Sequence, residues 1–267
     1  MDFILEWSKK ISQTMFISVK KMLPDLLKRQ LHRMGILKRF RPAVGNVVLG
    51  DLKRTEPLSK ESGFDRGGPI DRYYIETFLG KEADCIRGRV LEIADNSYTL
   101  KFGGSKVTQS DILHVDDSNP SATVVADLGH APHLPDDTYD CLVITQTLQY
   151  IYEFRGALKT CRRILKPGGV LLVTVPGISP VDIGWSRSSN EQADWFCSFS
   201  VIGMKKMMAE AFPSDSMDIG HYGNILSATA FLYGMGRKEL EKGQLDTRDA
   251  KYPVIITVKA TKTEPES

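Results

Sequence analysis

The 267 residues are 42% hydrophobic and 25% charged, the balance of a globular chain with enough apolar material for a real core. No apolar run approaches the roughly 20 residues that a membrane-spanning helix needs, the Gly and Pro contents exclude collagen-like and low-complexity classes, and no repeat of fixed period occurs. The net charge of +2 gives no overall lean towards nucleic acid, yet residues 1–41 carry ten Lys/Arg against three acidic residues, so one end is basic and the remainder mildly acidic.

In chain order, Ile4, Trp7, Ile11, Met15, Val19 and Met22 recur at helical spacing. Pro24 is expected to break that helix, and a second amphipathic stretch follows with Leu27, Leu31 and Met34 beside Lys28, Arg29 and Arg33. Such a basic arm suits an anionic membrane surface, a protein partner or a dimer mate, or packing on its own domain. Residues 42–68, rich in Gly, Pro and charge, read as an irregular connection.

Regular alternation begins at Pro69. A helix is expected over 70–83, a strand over 89–93, a second over 106–110, a third over 122–126 and a fourth over 140–145. A helix over 154–165 then ends at Lys166-Pro167-Gly168-Gly169, before a strand over 170–175. The spacing further predicts a helix over 201–212, a strand over 217–222, a helix over 228–240 and a last strand over 253–260. Short apolar strands alternating with helices imply βαβ units and a parallel sheet covered on both faces.

Cys85, Cys141, Cys161 and Cys197 are scattered with no CxxC pair and read as free thiols. With no secretory signal pattern, a reducing, cytoplasmic setting is expected.

Open parallel sheets bind ligands beyond the carboxyl ends of their strands. Past the first strand stand Glu92, Ala94, Asp95 and Asn96. Asp111 follows the second, Asp127 and Leu128 the third, and Gln146 and Thr147 the fourth. An acid past the second strand can take both hydroxyls of a ribose, and a polar residue past the third can reach an adenine amine. Together these positions describe an adenosine site.

The stretch LPDDTYDCLVITQTLQYIYEFRGALKTCRRILKPGGVLLVTVP, residues 134–176, carries a specific family pattern. Its Leu-Pro-Asp-x-x-Tyr-Asp opening, its helix ending in Arg-Ile-Leu-Lys-Pro-Gly-Gly and its following apolar strand resemble the class I S-adenosylmethionine-dependent methyltransferases. The small-molecule and sugar branch is the nearest in kind. The resemblance implies an α/β fold, a doubly wound, Rossmann-like, mostly parallel seven-stranded sheet with an N-terminal helical extension. It also implies S-adenosyl-L-methionine as cofactor.

By that resemblance Glu92 anchors the loop holding the methionine part, and Asp111 binds the ribose with Ile112 beside it. Asp116 is the alternative if the run His114-Val115-Asp116 ends the second strand. Asp127 meets the adenine amine, Leu128 the adenine face, and Gln146 and Thr147 the floor near the sulfur. The family's first loop reads acid-x-Gly-x-Gly; here it is Glu92-Ile93-Ala94-Asp95-Asn96-Ser97, without glycine. Compensation is expected from Asp95 and from the preceding segment, where Arg66 or Arg72 can clamp a carboxylate and Tyr73 or Tyr74 can stack or hydrogen-bond.

On the acceptor side His221 is the leading general base, with Asp182, Glu191 and Asp194 as alternatives. Residues 178–196 read as a cap whose Trp185, Arg187 and Trp195 meet the substrate, joined by Tyr222 and Asn224; a plain surface loop is the other reading. His130 and His133 with Asp127 resemble metal spacing, but Pro132 disfavours it and no metal is expected.

The organisation expected is a basic arm and linker over 1–60, a methyltransferase domain over 61–262 and a frayed tail over 263–267. The function expected is O-methylation of a small-molecule or glycan acceptor, with no nucleic-acid partner and a homodimer among the assemblies considered. A degenerate, membrane- or complex-associated scaffold is the alternative. A nicotinamide dehydrogenase is disfavoured because no GxGxxG follows the first strand.

Overall fold

The computed structural model describes residues 23–37, 39–181 and 194–263. The chain divides into two compact units, Met1–Thr55 and Glu56–Ser267. In the first, helix α1 spans Asp25–Arg33 directly after Pro24, with an acid in its first turn and His32 and Arg33 in its last. Those charges suit the helix dipole, and none of its residues is buried.

The second unit is built on a seven-stranded sheet in the order β3-β2-β1-β4-β5-β7-β6. Its strands are β1 Gly88–Ile93, β2 Val107–His114, β3 Val124–Val125, β4 Tyr139–Thr145, β5 Leu165–Pro176, β6 Met217–Tyr222 and β7 Ile255–Thr261. The first five are parallel, whereas β7 runs antiparallel to both β5 and β6. The result is a Rossmann-like α/β sheet whose strand order reverses between β1 and β4.

Successive side chains of a strand point to opposite faces, and each face has its own core. Leu91, Leu142, Ile144, Leu171, Val173 and Val258 pack beneath α3 (Phe154–Ile164) and α4 (Val201–Ala209). On the other face Val90, Cys141, Val143, Leu172 and Ile255 meet α2 (Ile70–Lys81), through Ile70, Tyr74, Ile75 and Leu79, and α5 (Ile225–Leu232), through Ala228 and Phe231. Both faces are therefore dry, which explains why these strands read as unbroken apolar runs.

Several boundaries differ from the sequence pattern. Strand β2 continues to His114 because its register with β1 pairs Leu91 with Asp111 and Ile93 with Leu113. Strand β5 starts at Leu165, directly after α3, so Lys-Pro-Gly-Gly lies within it at an irregularity in its pairing with β4. The helix expected over 228–240 begins at Ile225, where Asn224 and Ser227 form a capping box. It ends at Leu232 because Gly234 turns the chain with φ +68°, and a short helix α6, Lys242–Asp246, follows. Between β1 and β2 stands only a π-turn, Thr99–Gly103, then a single 3-10 turn.

Candidate functional site

The tip of β1 is built around Glu92. Its carboxylate is almost wholly buried and accepts hydrogen bonds from the backbone N–H groups of Tyr98 at 3.2 Å and Thr99 at 2.7 Å. Two donors at the start of the π-turn are thereby satisfied, and the loop between is pinned back onto the strand. Burial pushes the Glu92 pKa up to about 7, against those hydrogen bonds and with help from nearby Asp95.

In that loop Ala94 adopts φ +68°, the left-handed region that glycine favours. Its amide donates to the Leu113 carbonyl at 2.9 Å, and its own carbonyl accepts from the Asn119 side chain at 2.7 Å. Asp95 accepts from the Ser97 amide at 2.8 Å, and Asn96 reaches the Ser110 hydroxyl at 3.1 Å. Ala94, Asp95 and Ser97 are exposed, so their side chains are not packed into the core.

Helix α2 adds charge beside this loop. Arg72 donates to the Tyr98 hydroxyl at 3.0 Å. Burial opposes its charge, but Asp71, Tyr98 and Asp95 outweigh that and raise its pKa. Arg66, expected as a carboxylate clamp, is instead paired through two nitrogens with Glu239. Tyr73 donates to Asp246, and that bond, with burial, raises its pKa to about 12. Tyr74 is fully buried against Tyr222, with ring centroids 5.7 Å apart. Of the four side chains anticipated from this segment, Arg72 alone stands beside the loop.

At the tip of β2 the placement of the acids differs from the sequence pattern. Asp111 lies inside the strand, not past it. It is buried and held by Arg89 at 2.7 Å, with Gln109 at 3.3 Å and Thr123 at 3.2 Å. Ile112 is likewise buried within the strand. Past the true end of β2, Asp116 accepts from the Ser118 amide at 3.0 Å and faces His114 Nδ1 at 3.0 Å. Its pKa is held low, first by the Ser118 hydrogen bonds.

Beyond β3, Asp127 is exposed; its carboxylate accepts the Gly129 amide at 2.8 Å and its carbonyl the His130 amide at 3.0 Å. Leu128 is buried in the core with Leu113 and Ala126.

Beyond β4, Gln146 takes φ +48° and donates its amide to the Thr174 carbonyl at 2.8 Å. Its side-chain Nε2 is buried without a hydrogen-bond partner among the described residues. Thr147 donates back to Thr145. Here the chain builds an aromatic array that the sequence pattern did not reveal. Tyr150 meets Trp195 edge to face at 5.5 Å, Tyr152 meets Phe196 at 5.4 Å and Phe154 meets Phe199 at 5.8 Å. The Phe196 amide donates to the Gln149 carbonyl at 2.8 Å and joins the two segments. The signal was the i, i+2 spacing of Tyr150, Tyr152 and Phe154, legible only once the segment after β5 lies alongside.

The remaining acceptor-side residues fare differently. His221 lies within β6 opposite Ile256, on the sheet edge furthest from β3 and four strands from β1. Asn224 caps α5 and donates to the carbonyls of Gln244 and Thr247, both at 2.7 Å. Tyr222 stacks on Tyr74 beneath the Arg248 guanidinium. His221 and Tyr222 end β6 on the carboxyl edge of the sheet, level with Val175 and Pro176 of β5 but four strands across from β1, and Tyr222 and Asn224 are occupied structurally. Trp185, Arg187, Asp182 and Glu191 lie outside the described residues. Among the described residues no group of three or more His, Cys, Asp or Glu is placed to hold a metal ion, and no helix is long and apolar enough to cross a membrane.

Residues 84–173 match the family model described as a methyltransferase domain. Over 154 residues the chain is 50% identical to the ubiquinone/menaquinone biosynthesis C-methyltransferase UbiE of Haemophilus ducreyi, the aligned part being 57% of this chain and 51% of the relative. The protein of the same name from Salmonella arizonae is 33% identical over 105 residues, 38% of this chain and 39% of that one. The chain thus spans about half, or less, of the length of the curated relatives it matches. Among solved structures, an S-adenosylmethionine dependent methyltransferase from Mesorhizobium loti aligns with a TM-score of 0.46 at 16% identity, over 73% of this chain and 98% of that chain.

Proposed function

From a chain whose residues 84–173 match a methyltransferase-domain model, we propose that it transfers a methyl group from S-adenosylmethionine to a small, planar organic acceptor bearing a ring hydroxyl. One observation carries this reading: Glu92, Ala94, Asp116 and Asp127 converge on the tips of the first three parallel strands, where an open sheet takes its ligand.

The residues fit the cofactor. The loop at Ala94 already has the backbone angle that glycine gives relatives, at a cost of roughly 1–2 kcal/mol for the methyl-bearing residue. Asp116 offers a carboxylate for two ribose hydroxyls, and Asp127 an acceptor for the adenine amine. Gln146 holds a buried donor, and an unsatisfied group of that kind costs about 1–3 kcal/mol until an acceptor arrives. Arg72 supplies a cation beside the loop for an amino-acid carboxylate. When bound, the sulfonium supplies the electrophilic methyl carbon.

The chain's own task is to hold the acceptor in line at near-attack distance. The exposed rings of Tyr152 and Phe196 favour a flat, apolar acceptor over a glycan. A ring hydroxyl that loses its proton shares the charge with the ring carbon beside it. O-methylation, and the C-methylation for which the curated relatives are named, are therefore two outcomes of one bound acceptor. His221, level with Val175 at the end of β5, remains the candidate base for the acceptor proton.

Titration calorimetry with S-adenosylhomocysteine tests the cofactor side. Asp116→Ala should weaken affinity at least tenfold with the fold intact, each tenfold being about 1.4 kcal/mol. Asp111→Ala should leave the affinity of the folded protein unchanged while lowering its melting temperature, because Arg89 loses its partner. No heat at millimolar ligand would retire the enzyme reading in favour of a scaffold. Mass and NMR analysis of methylated phenolic acceptors then separates oxygen from carbon products.

A further inference from the structure

We propose that residues 23–37 and 39–54 form a peripheral docking surface for a bilayer that contains anionic lipid. Seven of these residues are Lys or Arg and two are acids. One of the acids is neutralised locally: Asp25 faces Lys28 at 3.5 Å and accepts from the Ala43 amide and the Asn46 side chain at 3.1 and 3.2 Å. Arg29 donates to the Asn46 carbonyl at 2.7 Å and lies 5.6 Å from the centre of the Phe40 ring. These contacts fasten the segment around Ala43–Asn46 to α1 and use the polar groups that would otherwise meet water.

What remains exposed is a mixture of two kinds. Ile36, Val47 and Val48 are 59%, 61% and 68% exposed, and Arg33, Arg39 and Arg41 are exposed with them. Scattered apolar surface residues are ordinary, whereas apolar side chains gathered with several cations on one short segment mark an interaction surface. An acidic protein face would meet the cations and leave the aliphatic groups in water. A bilayer interface supplies both counterparts, acyl boundary for isoleucine and valine and anionic headgroups for the guanidinium groups.

Vesicle flotation of the full chain tests this, using phosphatidylcholine alone or mixed with phosphatidylglycerol. Binding to the mixed vesicles should exceed binding to phosphatidylcholine by at least about tenfold and collapse at high salt. Arg33→Gln, Arg39→Gln and Arg41→Gln together should weaken partition by about two orders of magnitude. Val47→Asp with Val48→Asp should weaken it by about tenfold or more, with unchanged circular dichroism. The proposal is overturned by no binding, by equal binding to both vesicles, or by variants that bind as the unmodified chain does. Salt-sensitive self-association without vesicle binding would assign the cations to the acidic body of a second copy and would equally overturn it.

Discussion

Ala94 holds a backbone angle of φ +68° that a methyl group makes costly. Replacing it with glycine removes that strain and adds some unfolded-state freedom, a net gain of about 1 kcal/mol. Ala94→Gly should therefore raise the melting temperature by roughly 2–4 °C; a fall in a thermal scan would show that the methyl group supports the loop.

Glu92 makes a second prediction at the same scale. Its pKa stands at about 7 in the folded chain against an ordinary 4.5, so the fold favours the protonated acid. That stabilisation is fully present below about pH 4.5 and is lost as pH rises through about 7, a swing of about 3 kcal/mol. Urea unfolding across this window should show the decline in the unmodified protein and its absence in Glu92→Gln. The identity of both residues was legible in the sequence, because a strand followed by an acid-x-x turn has a recognisable pattern. Arg72 was among the cations expected there, but its partner Tyr98 was not: the two meet only because α2 packs beside the π-turn.

At the scale of elements, α3 and the loop after β3 approach so closely that glycine is required. A Cβ at Gly156 would lie 2.4 Å from the Gly129 carbonyl oxygen, and Gly129 in turn donates its amide to Asp127. Gly156→Ala should destabilise by about 1–3 kcal/mol and weaken S-adenosylhomocysteine binding by displacing Asp127. Gly243→Ala, with nothing within 4 Å of the added methyl, is the control, expected to leave binding unchanged. Calorimetry and thermal unfolding of the two variants check both statements.

Strand ends belong to this scale as well. The pattern 106–110 looked complete because Asp111 breaks the apolar alternation. In the sheet that carboxylate meets Arg89 from the neighbouring strand, so β2 runs on through a polar residue and the exposed acid becomes Asp116. The half-buried Arg89 thus neutralises a buried carboxylate within the strand, which lets the strand continue where its own sequence suggests a stop.

For the whole molecule, both cores draw on residues from Ile70 onward, and the chain divides after Thr55. A fragment of residues 56–267 should retain the far-UV circular dichroism of the sheet domain and one cooperative unfolding transition. Loss of either would mean that the first unit completes a core. The opposite charges of the two units, basic before Thr55 and acidic after it, suit separate roles for them.

Local pattern alone determined the apolar strands, the helices before β1 and after β4, the parallel character of the first five strands and the acid at the first strand's tip. Each follows from apolar spacing and turn chemistry within a few residues. Tertiary structure decided which carboxylate stays exposed at the second strand, that Arg66 is taken by Glu239, that Asn224 donates to the carbonyls of Gln244 and Thr247 and that the rings of 150–154 meet those of 195–199. In each case the deciding partner lies far away in sequence, and only packing of the sheet and its helices brings the two together.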